Sequence, residues 1–196
     1  MVDIKARLRG TRPLLMHNPR GMFEQAIMKV RKPGQGVKYD PKEEAEKGAY
    51  RVTPANGDSA KTPLCLREAH VLGNLERAAM SFKLEKSRSS AAQTVKATVM
   101  IEPQEIPLTW KGKPIKDYDI QIDRVVVPPR RGASVPRARA RINNWEAELH
   151  MKYNPELGLP PHQVIEILKR GGNYVGLLDW RPRYGTFDVA ETKITE

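Results

Sequence analysis

A chain of 196 residues with a formal net charge of +11 and a sequence pI of about 9.8 points to a polyanionic partner, either nucleic acid or an anionic membrane surface. No apolar run approaches the length of a membrane span, the N-terminal MVDIKARLRG reads as a strand and not as a signal peptide, and the lone Cys65 excludes an internal disulfide framework and fits a reducing cytoplasm. The 39% hydrophobic share permits one core, so residues 1–196 are expected to form a single domain.

In chain order, Val2, Ile4, Ala6 and Leu8 alternate with Asp3, Lys5, Arg7 and Arg9, which predicts a half-buried strand ended by Gly10. Thr11 to Asn18 is expected to be an apolar turn. Residues 19–62 are punctuated by proline and glycine and carry too few apolar residues for a core of their own, so they read as an irregular insertion. Within it, Met22 to Arg31 is a candidate short helix. Asp40 to Gly48 is a stronger one, with an Asp N-cap, a proline at the first position and a glycine stop.

Val71, Leu72, Leu75, Ala78, Ala79 and Phe82 recur at spacings of three and four, predicting a helix from about Arg67 to Phe82. Lys83 to Lys96, rich in Lys, Arg and Ser, reads as a mobile basic loop, and Ala97, Val99 and Ile101 as a strand ended by Pro103. Tyr118, Ile120 and Ile122 lead into a further strand over Val125 to Val127. Trp145, Ala147, Leu149, Met151 and Tyr153 alternate with Glu146, Glu148, His150 and Lys152 in the cleanest strand pattern of the chain. Pro160-Pro161 opens a helix that Gly171-Gly172 closes, and Thr186 to Val189 is the last strand. The reduced order is βαββαβ, which predicts an α+β fold with a ferredoxin-like core, an antiparallel sheet and helices on one face, plus a basic β-hairpin over 125–145.

Six arginines and no acid lie between Arg124 and Trp145: Arg124, Arg130, Arg131, Arg137, Arg139 and Arg141. In an extended backbone, Arg137, Arg139 and Arg141 share one face, while Ala138, Ala140 and Ile142 share the other. An arginine face backed by a packing face suits phosphates. Lys83, Lys86 and Arg88 add a second basic cluster, and Arg130 to Pro136 is expected to order only with ligand. The motif Trp180-Arg181-Pro182-Arg183-Tyr184-Gly185 sets arginines beside aromatics in a glycine-framed turn. Its Arg181 and Arg183 can clamp phosphate, while Trp180 and Tyr184 either stack bases or pack in the core. His17, just past the first strand, is the histidine best placed for a role. Trp145 and Trp180 are candidates for contacts between copies, with a core position the alternative for both and the preferred reading for Trp145.

No nucleotide fingerprint, nucleophile elbow or metal-ligand spacing is present, so neither cofactor nor metal is expected. The glycine-rich stretch between the last helix and the last strand (Gly171-Gly172, Gly176, Gly185-Thr186-Phe187), the strand-then-Gly10 opening and the basic hairpin resemble the RAMP superfamily of CRISPR effector proteins. The resemblance implies a RAMP/RRM-like domain akin to the backbone subunit that polymerises along CRISPR RNA, in which a projecting hairpin kinks the RNA at regular intervals. The expectation is a non-catalytic single-strand nucleic-acid-binding subunit, with RNA favoured over DNA, working as a homo-oligomer with other effector subunits. Two alternatives are a phage single-strand DNA-binding or recombination protein, and a RAMP-type metal-independent endoribonuclease using His17.

Overall fold

The computed structural model describes residues 1–19, 39–54, 62–85, 87–126 and 134–195. Its larger sheet begins with β1 (Val2–Gly10), whose Val2, Ile4, Ala6 and Leu8 are buried as the alternation predicts. Gly10 is required by close approach. A Cβ there would stand 2.2 Å from the Trp145 indole nitrogen, while the Gly10 N–H donates to the Trp145 carbonyl at 2.9 Å.

The chain then forms β2 (Leu14–Met16), α1 (Pro41–Gly48), β3 (Cys65–Arg67), α2 (Glu68–Ala79), α3 (Ala92–Thr98), β4 (Met100–Glu102), β5 (Glu105–Trp110) and β6 (Lys113–Pro114). It continues through β7 (Asp119–Val126), β8 (Ser134–Ile142), β9 (Glu146–Tyr153), α4 (Pro161–Arg170), a wide π turn at Gly171–Val175, and β10 (Phe187–Thr195). The large sheet runs β10-β1-β9-β5-β3, with β4 also on β9 and β6 on β5, and all its pairings are antiparallel. Reduced to β1, α2, β5, β9, α4 and β10, this is the βαββαβ ferredoxin-like arrangement, with sheet order 4-1-3-2. Val71, Leu75 and Ala78 of α2 join Val164, Ile167 and Leu168 of α4 in one core with the inward residues of β1 and β9.

A second sheet, β2-β8-β7, is built from the hairpin. Ala138, Ala140 and Ile142 of β8 are buried, as are Leu14, Leu15 and Met16 of β2. The Thr11–Asn18 turn is thus corrected: three of its residues pair with β8 and close the edge of this sheet. The hairpin is longer than its basic part, because Ile120 and Ile122 already belong to β7.

The basic stretch 83–96 is also corrected. Residues 92–98 form α3, anchored by buried Ala92 and Val95, and the Ser90 hydroxyl accepts the Ala92 N–H at 3.2 Å. Seven residues are too few to print a helical period beside a run of serines. The strand expected at 97–101 therefore shortens to β4, and the predicted helix 67–82 shortens to α2. Asp40 caps α1 as predicted, accepting the N–H groups of Lys42 at 2.9 Å and Glu43 at 3.3 Å. The candidate helix at 22–31 lies outside the described residues.

Candidate nucleic-acid interface

The alternation along β8 is as the sequence implies, but the arginine face is not open. Its acids arrive from other elements. The register sets Asp119 opposite Arg141, Gln121 opposite Arg139 and Asp123 opposite Arg137. Arg139 is 4% exposed. Its Nε donates to Asp179 Oδ2 at 2.6 Å, its Nη1 lies 3.6 Å from Asp123 Oδ2, and its guanidinium sits 4.9 Å from the centre of the Trp180 ring. Arg137 reaches Glu44 of α1 at 3.0 Å, and the other Glu44 oxygen accepts the Ala138 N–H at 2.9 Å. Burial alone would raise the Glu44 carboxyl, but the Ala138 N–H and hydrogen bonds from Arg137 and Tyr39 hold it below its ordinary value. Arg141 donates to Asn143 at 2.9 Å and to Gln121 at 3.4 Å. The stripe is therefore largely internal scaffold, and Arg139 in particular is not available to a phosphate.

The face of the large sheet turned away from α2 and α4 is also neutralised. Arg7 pairs with Glu146 at 2.9 Å and Glu191 at 3.6 Å, Arg9 with Glu146 at 3.7 Å, and Lys152 with Glu102 at 2.8 Å. Its β1 and β9 positions are Asp3, Lys5, Arg7, Arg9, Glu146, Glu148, His150 and Lys152. No aromatic ring stands among these β1 and β9 positions, where an RRM carries its stacking platform, and the ring beside them is Trp110 at the end of β5, 5.6 Å from the Arg9 guanidinium.

The glycine-framed motif forms a loop that ties the two sheets together. Asp179 N–H donates to Leu15 O of β2 at 3.1 Å, Gly185 N–H to Pro13 O at 2.8 Å, and Leu177 N–H to Gly185 O at 2.9 Å. Gly185 has φ +72°, and a Cβ there would stand 2.0 Å from Leu177 O. Leu178 and Trp180, which flank Asp179, are also left-handed, at φ +63° and +53°. Trp180 rests on Arg139, and the Tyr184 hydroxyl is held by the Gln121 amide at 3.1 Å. Both aromatics thus pack on the root of the hairpin, although Trp180 stays 37% exposed. Trp145 is fully buried and donates from Nε1 to Arg12 O at 3.0 Å. It takes the core position preferred for it rather than one open to a neighbouring copy.

Between this loop and α2 lies a cleft of about 530 Å³, whose lining includes His17, Tyr50, His70, Arg77, Asp179 and Arg181. His70 stands in the first turn of α2. Its Nδ1 accepts the Arg67 N–H at 3.1 Å, and its ring meets Tyr50 edge-on at 4.5 Å. Burial, with Arg67 and Arg181 nearby, pushes it down to about 4, so it is neutral near pH 7. His17 is also lowered, first by burial and then by Arg139 and Arg137, against the pull of Asp179 and Glu44. That set of neighbours places His17 where the cleft meets the hairpin root.

Of the other predicted residues, Lys83 and Arg88 are exposed beyond α2, Arg183 is exposed beside the cleft-lining Arg181, and Lys86, Arg130 and Arg131 lie outside the described residues. Sequence reasoning missed Arg77, His70 and Tyr50. Arg77 sits on the outer face of an ordinary amphipathic helix, where nothing local sets it apart. Among the described residues no group of three or more His, Cys, Asp or Glu could hold a metal ion, and no helix is long and apolar enough to cross a membrane. Cys65 is buried, which pushes its thiol up to about 11.

No family model and no curated protein sequence matches the chain. Among solved structures it is similar to a chain in the cryo-EM structure of the Type III-B Cmr-beta bound to cognate target RNA, with a TM-score of 0.56 and 9% sequence identity. The likeness covers 100% of this chain and 61% of that one, so the chain spans less than two thirds of its neighbour's length. At that identity the likeness establishes a common fold.

Proposed function

We propose that the chain is a non-catalytic RNA-binding subunit of a CRISPR-type ribonucleoprotein and assembles in repeated copies along the strand. One observation carries the reading: the likeness to a chain of an RNA-bound Cmr complex spans 100% of this chain, at a TM-score of 0.56. The charge supports it. The acids of the stripe and of the open sheet face are engaged in internal pairs, so much of the +11 excess has no internal partner. A phosphate backbone supplies those counterions, and their release would drive binding without regard to sequence. Lys83, Arg88, Arg181 and Arg183, with Lys86, Arg130 and Arg131, are the proposed contacts. The partly buried Arg137 and Arg141 act mainly by shaping the hairpin.

The cleft supports binding without chemistry. Asp179 is held by Arg139, and His70 is neutral with one ring nitrogen already bonded to backbone. Neither is poised to move a proton in a cleavage reaction.

The test is the nucleic acid that co-purifies, followed by mass photometry on an RNA length series. RNase-sensitive material is expected, with complex masses rising in even steps as the RNA lengthens. A one-to-one complex at every length would refute repeated assembly. Heterogeneous, DNase-sensitive material would favour a phage-type DNA-binding protein.

A further inference from the structure

The cleft beside α2 holds two positive charges that form no ion pair with a described residue. Arg77 comes from the last turn of α2, and Arg181 from the loop between α4 and β10. Both line the same concave wall. The acids beside them are committed elsewhere: Glu76 reaches Lys96 at 3.5 Å, and Asp179 reaches Arg139 at 2.6 Å. Neither guanidinium makes a hydrogen bond or an ion pair with a described residue.

Two such groups in one concavity repel each other. Burial, and then the proximity of Arg77, hold Arg181 below its ordinary value against the opposing pull of Asp179. Arg7, Arg51, Arg137 and Arg139 are each supplied with a carboxylate, and the half-buried Arg141 with side-chain amides, whereas Arg77 and Arg181 have neither among the described residues. The loop that carries Arg181 is also strained on either side of Asp179, with Leu178 and Trp180 left-handed. Such backbone persists where the surroundings over-determine it, and it gathers at ligand clamps.

We propose that Arg77 and Arg181 form a seat for one phosphate group of a nucleotide unit, both forks reaching its oxygens. Guanidinium suits the task, since its planar donors match a phosphate edge in a way an ammonium does not. The volume of about 530 Å³ exceeds a phosphate alone and falls within the range of small-ligand pockets, leaving room for the attached sugar or base. Gly73 faces open space along this lining, for a Cβ there would meet nothing within 4 Å. The phosphate could belong to an internal linkage of a bound strand, which rests on the reading under Proposed function, or to a free mononucleotide, which does not.

Binding of decauridylate, uridine 5′-monophosphate and inorganic phosphate would be measured by calorimetry for the full chain. The variants are Arg77→Gln, Arg181→Gln, Arg77→Lys and Arg181→Lys, with Lys113→Gln on exposed β6 as a charge-matched control. Each Gln variant is expected to weaken decauridylate binding by about tenfold or more. Each should also flatten the log-log salt slope by about 0.7. The control should leave both nearly unchanged. The Lys variants, which keep the charge but lose the fork, should fall between, and they report on the seat even if a Gln variant folds poorly.

Decauridylate binding with affinity and slope unchanged in both Gln variants would overturn the seat and leave the RNA reading standing. Phosphate or mononucleotide binding that is lost in both Gln variants, without decauridylate binding, would keep the seat and overturn the RNA reading. No binding of any of the three would overturn the seat.

Discussion

Removing the carboxylate of Asp179 tests whether the arginine stripe is scaffold or ligand surface. Arg139 is 4% exposed, and its shortest contact is the 2.6 Å bond to Asp179. Stripping one partner from a buried ion pair costs about 3–5 kcal/mol, because the other charge stays in low dielectric. Here Asp123 remains 3.6 Å from Nη1 and the Trp180 ring 4.9 Å from the guanidinium. Those contacts keep part of the charge compensated, so Asp179→Asn is expected to cost about 2–3 kcal/mol. At this chain length that lowers the melting midpoint by about 5–10 °C. Arg139→Met frees two carboxylates, but both are partly open to water, with side chains 30% exposed at Asp179 and 21% at Asp123. The double variant should therefore be less destabilised than the sum of the singles by about 1 kcal/mol or more. Urea unfolding of the four proteins, followed by tryptophan fluorescence, gives the cycle directly. A single-variant cost below about 0.5 kcal/mol with additive behaviour would mean that Arg139 is not held as described.

Gly185→Ala should cost about 2–4 kcal/mol, since φ is +72° and a Cβ would stand 2.0 Å from Leu177 O; a thermal midpoint within 2 °C of the parent would contradict the loop geometry. His70 is lowered from 6.5 to about 4, so it stays neutral when folded while the unfolded chain takes up a proton. Its contribution is complete above about pH 6.5 and is lost as pH falls toward 4, amounting to about 3 kcal/mol with the same sign from His17. Denaturant midpoints across that window should fall in the parent and fall less in His70→Gln, and equal slopes would refute the assignment. The protein should not cleave RNA in the absence of metal. Cleavage that disappears in His17→Ala would restore the endoribonuclease reading.

How much was legible depended on the length of each pattern. The stretch from Glu146 to Tyr153 alternates large apolar and charged residues over a whole strand, and β9 is what the sequence describes. Asp40 and Pro41 give α1 its start by local chemistry alone. By contrast, β2 has three residues and α3 seven, too few for a period to stand out. The arginine stripe was half legible. Its alternation is a property of the strand, but its counter-charges come from Glu44, 93 residues away, and Asp179, 40 residues away. Asp123, the residue just before the acid-free window, is itself a partner of Arg139. An acid-free window in sequence is therefore no measure of free charge in space.

That difference decides where a strand can bind. Charge becomes a binding surface only where folding leaves it unmatched. Most of the open sheet face and Arg137 and Arg139 of the stripe are matched, whereas Arg77 and Arg181 make no ion pair with a described residue. The same loop links the two regions, because Asp179 is held by Leu15 and Arg139 on the hairpin side while Arg181, two residues on, lines the cleft. The hairpin root thus fixes the position of Arg181 but not that of Arg77, which is carried by α2. Asp179→Asn should then reduce stability and RNA affinity together, whereas Arg77→Gln should reduce affinity and leave the melting midpoint in place. If Asp179→Asn lowered the midpoint yet bound RNA with unchanged affinity and salt slope, Arg181 would hold its position without the hairpin, and the cleft would be independent of the stripe.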